Sequence, residues 1–415
     1  MMTTVVELGK RAQKAASQLG QLGTVQKNKL LEAMAQALIE KTTVILEANQ
    51  SDLAAASELP RNFVDRLTLT KDRIEAAAAG LRQVAQLQDP IGQVDKAWVN
   101  AAGLRIAKRR VPLGVIGIIY EARPNVTVDA AALCFKSGNA VILRGGKEAL
   151  QSNLQLAAVL RGVLAANDVN ADAIQIIEDT SHETAARFME LTEYLDVLIP
   201  RGSARLIHAV VNQAKVPVIE TGAGNCHVYV DRNSDKKMAA DIIVNAKCQR
   251  PAVCNAIEKL LIHQDVAAEY LPYIAAKLAP YHVELRGDDT TQKILGTVVK
   301  PATVEDWSTE YNDYILAIKV VASFEEAVAH INKYNTKHSE TIITNDYQRS
   351  QQFLDQIDAA AVYVNASTRF TDGFEYGFGA EIGISTQKLH ARGPMGLEEL
   401  TTTKYVVRGQ GQIRK

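Results

Sequence analysis

Reactive side chains concentrate in one stretch, Asn245-Ala-Lys-Cys-Gln-Arg-Pro-Ala-Val-Cys-Asn-Ala256. Two thiols, Cys248 and Cys254, stand there with two cations, Lys247 and Arg250. A thiolate, not a thiol, is the nucleophile, and nearby positive charge favours it. Cys254 is therefore a candidate covalent nucleophile for an acyl group. The plainer alternative is a small buried hydrophobe beside Val253, because cysteines without a disulfide are among the most buried residues. Cys248 has no apolar flank on its C-terminal side and fits catalysis less well; it stands as an accessory or oxidisable thiol.

A second set of residues suits a dinucleotide. No G-x-G-x-x-G follows a strand, so the common fingerprint is absent. Gly145-Gly146 and Gly202 nevertheless follow strand-like runs and precede helical ones. Such turns present backbone N–H groups and a helix dipole to phosphate. Arg144 and Lys147 suit an extra 2′-phosphate, which favours NADP over NAD. The alternative is an ordinary pair of strand-to-helix turns. Glu220 closes an apolar run before a glycine-rich turn, as a general base or a loop anchor. Glu310 lies among Trp307, Tyr311 and Tyr314, where a solvated carboxylate is the plain alternative. The histidines, His182, His208, His227 and His338 among them, show no metal-ligand spacing, and no metal site is expected.

Positioning these groups falls to alternating elements. Residues 3–57 are Ala- and Leu-rich, with apolar positions at helical spacing from Leu30 to Ile39. Thr70 reads as the N-cap of an amphipathic helix over Ile74 to Ala85. Gln93 to Arg110 reads as a strand pair turning at Asn100-Ala-Ala-Gly103, with Lys108-Arg109-Arg110 as a solvated strand edge. Val111 to Tyr120 then reads as a buried parallel strand. Further strands are expected at 140–143, 174–177, 195–199 and 216–219, with helices between them and a capping box at Thr180-Ser-His-Glu183. The alternation resumes with strands at 257–263, 314–321, 340–344 and 361–365, and Lys404 to Val407 reads as a last short strand. Strand–helix alternation of this kind predicts doubly wound parallel α/β sheets. Ligands in such sheets bind beyond the carboxyl ends of the strands. The natural partition falls near Thr221-Gly-Ala-Gly224.

Composition excludes several classes. Of 415 residues, Lys plus Arg total 46 and Asp plus Glu 47, a net charge of −1 that gives nucleic acid or an acidic membrane nothing to hold. Four cysteines are too few for a disulfide scaffold of this length. Val111 to Tyr120 is too short to span a bilayer. With Glu7, Lys10 and Arg11 breaking any early apolar run, a cytoplasmic protein is the expectation.

Taken together, Pro112-Leu-Gly-Val, Asn125, Glu220-Thr-Gly and Cys254 resemble the aldehyde dehydrogenase superfamily, in which a strand-end glutamate precedes the nucleophilic cysteine at this spacing. Asp65-Arg-Leu-Thr-Leu-Thr70, Tyr120-Glu-Ala-Arg-Pro-Asn125, Glu220-Thr-Gly-Ala-Gly-Asn-Cys-His227, Gln249-Arg-Pro251 and Gly393-Pro-Met-Gly-Leu397 are similar to its acyl-phosphate-reducing branch. The likeness runs over nearly the whole chain. It implies an aldehyde-dehydrogenase-like fold of two doubly wound parallel-sheet domains plus a small oligomerisation β-flap. A dinucleotide-binding domain would cover 1–92 and 110–220, a catalytic domain 221–380, and oligomerisation strands 93–109 and 398–415. It implies NADPH-dependent reduction of L-glutamyl 5-phosphate to L-glutamate 5-semialdehyde with release of phosphate, in proline biosynthesis. Cys254 carries over as the nucleophile and Asn125 as an oxyanion-hole side chain. Arg144, Gly145, Gly202, Ser203 and Glu310 fall where the superfamily meets its dinucleotide, although Gly145 and Gly146 depart from its usual loop. Arg123, Arg250 and Arg369 are expected as carboxylate or phosphate clamps for an anionic substrate. A homo-oligomer is expected, and so is transient contact with the upstream glutamate kinase, given an unstable acyl phosphate. The competing readings are a hydrolytic aldehyde dehydrogenase and a binding protein that keeps the fold.

Overall fold

The computed structural model describes residues 4–56, 58–59, 61–121 and 123–414. It divides into two units, one of residues 1–220, 377–383 and 395–415, the other of 221–376 and 384–394.

The first unit begins with five helices, α1 (Val5–Leu19), α2 (Thr24–Glu40), α3 (Thr42–Ala55), α4 (Arg61–Leu67) and α5 (Lys71–Gln86). Thr4 and Thr70 cap α1 and α5 by accepting the N–H groups of Glu7 and Arg73. Strands β1 (Val94–Val99) and β2 (Arg105–Pro112) form an antiparallel pair. Then follow β3 (Val115–Tyr120), α6 (Asn125–Lys136), β4 (Ala140–Arg144), α7 (Leu150–Ala166), β5 (Ile174–Ile176), α8 (His182–Met189), β6 (Val197–Arg201) and α9 (Ala204–Gln213). Their sheet has the order β5-β4-β3-β6 and is parallel throughout. The chain winds from β3 outward to β5, then returns to the other side of β3, so the switch point lies between β3 and β6.

Three expectations shift here. Val111 and Pro112 finish β2 rather than opening β3. The chain turns between them at Gly114, whose φ of +130° and contact with Asp196, 2.2 Å from where a Cβ would stand, admit only glycine. The strand expected at 216–219 shrinks to a single bridge, Leu198 to Val218, because Pro217 on one side of the bridge and Pro200 on the other have no N–H with which to extend it. The cap of α8 is Ser181, one residue beyond Thr180, and it accepts the Thr184 N–H at 3.2 Å.

The second unit holds β7 (Cys226–Val230), α10 (Lys236–Cys248), β8 (Ile257–His263), α11 (Gln264–Leu278), β9 (Glu284–Gly287), α12 (Asp289–Leu295), β10 (Val299–Pro301), β11 (Ile315–Val321), α13 (Phe324–Tyr334), β12 (Ser339–Ile343), α14 (Tyr347–Gln356) and β13 (Ala361–Val364). A short hairpin, β14 (Ile384–Ser385) and β15 (Gly393–Pro394), closes it. The sheet order is β10-β9-β11-β8-β7-β12-β13, again parallel. Alternate residues feed two cores. Val228, Val230, Leu260 and Ile262 pack on the α10–α11 side, while Tyr229 and Leu261 pack on the α13–α14 side. Each such fully buried aliphatic side chain contributes about 1.5–3 kcal/mol relative to exposure. The last strand, β16 (Thr401–Arg408), belongs to the first unit and pairs antiparallel with β2 along its whole length. No helix of the described residues is long and apolar enough to cross a membrane.

Candidate active site

Cys254 stands in the turn between α10 and β8. Cys134, Cys226 and Cys248 are buried, whereas Cys254 is half-buried and reaches the surface of its unit. Its backbone is clamped. A Cβ on Gly224 would lie 1.4 Å from the Cys254 carbonyl oxygen, so only glycine lets the 221–225 loop pack there. The Cys226 thiol donates to that same carbonyl at 3.2 Å. Glu310 holds Gly224 from the other side, accepting its N–H at 2.7 Å.

The next residue, Asn255, anchors the turn at 367–371. Its amide donates to the carbonyls of Arg369 and Thr371, and its own carbonyl accepts the Thr368 hydroxyl at 2.6 Å. The Arg369 guanidinium donates to the Asn255 side chain and to Gln249 at 3.0 Å. Burial pulls the Arg369 pKa down, Arg250 adds to the effect, and Asp372 and Cys254 oppose it. Arg250, Arg369 and Cys254 therefore share one electrostatic neighbourhood.

Lys247 does not contribute its charge to that neighbourhood as expected. It is buried, and its ammonium donates to Glu258 at 2.8 Å in an ion pair closed to solvent. Burial outweighs that pairing at the carboxyl, which rises to about 6. Cys248 lies in the core, and burial pushes its thiol up to about 11 against the influence of Lys247, so it stays protonated near neutrality.

These residues share a location that the general rule for open sheets does not anticipate. The segments carrying Gly224, Cys254 and Glu310 enter β7, β8 and β11, so they gather at the amino edge of the second sheet. Gly224, Cys226, Asn255 and Thr368 were not singled out from the sequence. Gly224, Cys226 and Asn255 lie inside the quoted motifs without a role of their own, since a contact with a backbone carbonyl leaves no local pattern.

The first unit follows the rule. Asn125 opens α6 after β3, and its amide donates to Asp129 at 3.2 Å. Burial pushes the Asp129 carboxyl up to about 6, with that hydrogen bond opposing. Ser203 caps α9 after β6, and its N–H and hydroxyl both donate to Glu121, each at 2.8 Å. A Cβ on Gly202 would stand 2.7 Å from the Glu121 carboxylate, so a larger residue would push that side chain away. Glu121 and Ser203 thus meet at the β3/β6 switch point.

Arg144 closes β4 and donates to the Thr180 carbonyl at 2.9 Å, while its Nε is buried with no hydrogen-bond partner. Burial lowers its pKa, with Glu148 and Asp179 opposing. A Cβ on Gly145 would lie 2.2 Å from the Asn153 amide nitrogen, whose buried Nδ2 also lacks a partner. Arg123 is exposed in the loop before Asn125, and Glu220 is half-buried at the end of this unit. Glu310 lies in the other unit, apart in the chain from the remaining expected cofactor residues.

The aldehyde dehydrogenase family model matches residues 3–313 and 307–406. The gamma-glutamyl phosphate reductase of Ligilactobacillus salivarius is 66% identical over 415 residues, covering 100% of both chains. That of Enterococcus faecalis is 61% identical over 415 residues, covering 100% of this chain and 99% of the relative. Among solved structures, the gamma-glutamyl phosphate reductase of Thermotoga maritima is 48% identical with a TM-score of 0.97, covering 100% of both chains. An acetylating aldehyde dehydrogenase from Geobacillus thermoglucosidasius, 16% identical with a TM-score of 0.70 over 99% of this chain and 97% of its own, shares the fold.

Proposed function

The chain belongs to the aldehyde dehydrogenase family, and from that premise we propose that it reduces L-glutamyl 5-phosphate to L-glutamate 5-semialdehyde with NADPH, releasing phosphate, in proline biosynthesis. The observation that carries this reading is Cys254: a surface-reaching thiol on a clamped backbone, within electrostatic reach of Arg369.

The Cys254 thiolate attacks the acyl carbon. The tetrahedral adduct collapses by breaking the acyl carbon–oxygen bond, and phosphate departs with the electron pair, leaving a thioester. Asn125 and the Cys254 N–H serve as the oxyanion donors, each worth about 3–4 kcal/mol by analogy with other acyl-transfer sites. Phosphate is a good leaving group, so no strong general acid is needed. NADPH, when bound, would supply the hydride that reduces the thioester. Breaking the carbon–sulfur bond then releases the aldehyde and restores the thiolate. Glu220 has no water to activate in this sequence, because hydrolysis would waste the activated acid. Arg250 and Arg369 hold substrate anions, with Arg123 as a third clamp.

The residues at the carboxyl edge of the first sheet suit the cofactor. Arg144 has a buried, unpartnered Nε, the Gly145 and Gly202 backbones pack closely on the Asn153 and Glu121 side chains, and Ser203 heads a helix. They would hold the dinucleotide, with Arg144 offered to the 2′-phosphate and Glu310 as a further contact. Members of the family use a nicotinamide cofactor, and the choice of NADP rests on Arg144. The same reading has the enzyme working in the cytoplasm as a homo-oligomer joined through β1, β2 and β16, in transient contact with the kinase that supplies its substrate.

The test runs the reaction backward, with semialdehyde and NADP, following nicotinamide absorbance. Turnover should require inorganic phosphate. Equal rates with and without phosphate would refute the acyl-phosphate reading in favour of a hydrolytic dehydrogenase.

A further inference from the structure

We propose that the first unit carries a second ligand site, a pocket for a small organic carboxylate with an apolar body, gripped by Arg109 and Lys404. A cavity of about 540 Å³ opens between the end of α1, the Ile91–Gly92 turn and strands β2 and β16. That volume falls in the range of small-molecule pockets.

Arg109 and Lys404 both line it and stand directly opposite each other in the β2–β16 register. Like charges so placed repel. Their neighbour Arg110 shows what neutralisation looks like here, with Asp95 at 3.0 Å and Glu398 at 3.4 Å. Among the described residues no carboxylate pairs with Arg109 or Lys404, and no acidic side chain lines the cavity. Asp196, which packs on Gly114 nearby, accepts the Val115 N–H at 2.7 Å. The Arg109 Nε is buried without any partner. A desolvated guanidinium nitrogen is unfavourable unless an acceptor reaches it.

The solvated-edge reading of Lys108 to Arg110 therefore does not hold for Arg109. A carboxylate satisfies the planar fork of arginine with two parallel bonds and relieves the cross-strand repulsion. Ala16, Ile91, Val111 and Pro112 give the cavity an apolar side, while Ser17, Gln21 and the already paired Arg110 also line it. That apolar side selects a hydrocarbon body over a bare inorganic ion.

The test uses the full chain with hexanoate and its neutral amide, hexanamide, as probes. Calorimetric titration should show saturable binding of hexanoate and none of hexanamide, and hexanoate should raise the melting temperature. Arg109→Gln and Lys404→Gln should each weaken hexanoate binding about tenfold or more while leaving the subunit mass by light scattering unchanged. The second variant serves if the first fails to fold. Absent binding at millimolar hexanoate, or binding by both variants as tight as that of the wild type, overturns the proposal. So does loss of subunit mass by light scattering in the variants with no hexanoate binding in the wild type, which would assign the two cations to a carboxylate of a second copy of the chain.

Discussion

Cys254 owes its placement to atoms that are not its own side chain. The Gly224 backbone lies against its carbonyl, Cys226 donates to that oxygen, and Asn255 ties the following turn. Gly224→Ala should therefore do more than an ordinary glycine substitution. A methyl 1.4 Å from a backbone oxygen must displace it, at about 3 kcal/mol or more. The melting temperature should fall and turnover should be lost together; a variant with wild-type melting and turnover would contradict the clamp. The cysteine was legible because its neighbours in sequence include cations and a proline. Its clamp was not, because backbone-to-backbone contacts across distant segments leave no trace in composition. Lys247 misled for the related reason that its partner, Glu258, lies across a turn and inside the core.

At the scale of elements, strand β8 places two charged side chains, Glu258 and Lys259, inside the second unit. Lys259 donates to the Thr309 carbonyl at 2.7 Å and lies 4.5 Å from the Tyr311 ring centre. Burial pulls its pKa from 10.5 down to about 7, with Glu258 opposing. Between those values the unfolded chain holds a proton that the folded chain has released, so stability rises with pH there. The contribution is fully present above about pH 10.5 and is lost as pH falls through about 7. Lys259→Met should flatten the rise of melting temperature from pH 7 upward; parallel profiles for variant and wild type would count against it.

At the carboxyl edge of β4, Arg144→Ala should lower the preference for NADPH over NADH about tenfold, measured as the ratio of kcat/KM values. An unchanged ratio would remove Arg144 from the cofactor site. The parallel alternation around these strands was readable from apolar runs bounded by turns. β7 was not, because Cys226-His-Val-Tyr-Val230 mixes polar residues into a buried strand: His227 is fully buried and paired with Glu340 at 3.0 Å. The strand expected at 216–219 stops at one bridge because Pro200 and Pro217 carry no donor to lengthen the ladder.

For the molecule as a whole, each unit presents its proposed chemistry at a different edge of a parallel sheet: the amino edge for Cys254, the carboxyl edge for Ser203 and Arg144. The order of elements predicted two wound sheets but not this inversion, because the rule about carboxyl ends describes nucleotide crevices and not a nucleophile carried into a strand. The β2–β16 pairing joins segments nearly three hundred positions apart in the chain, and only the family resemblance, which groups both in one β-flap, anticipated it. The account stands or falls on whether Cys254 forms the thioester. Rapid mixing with semialdehyde and NADP, without phosphate, should give a burst of close to one reduced nicotinamide per chain and then stall, with phosphate restarting turnover and Cys254→Ser showing no burst. Steady reduction without phosphate, or an intact burst in Cys254→Ser, would contradict it.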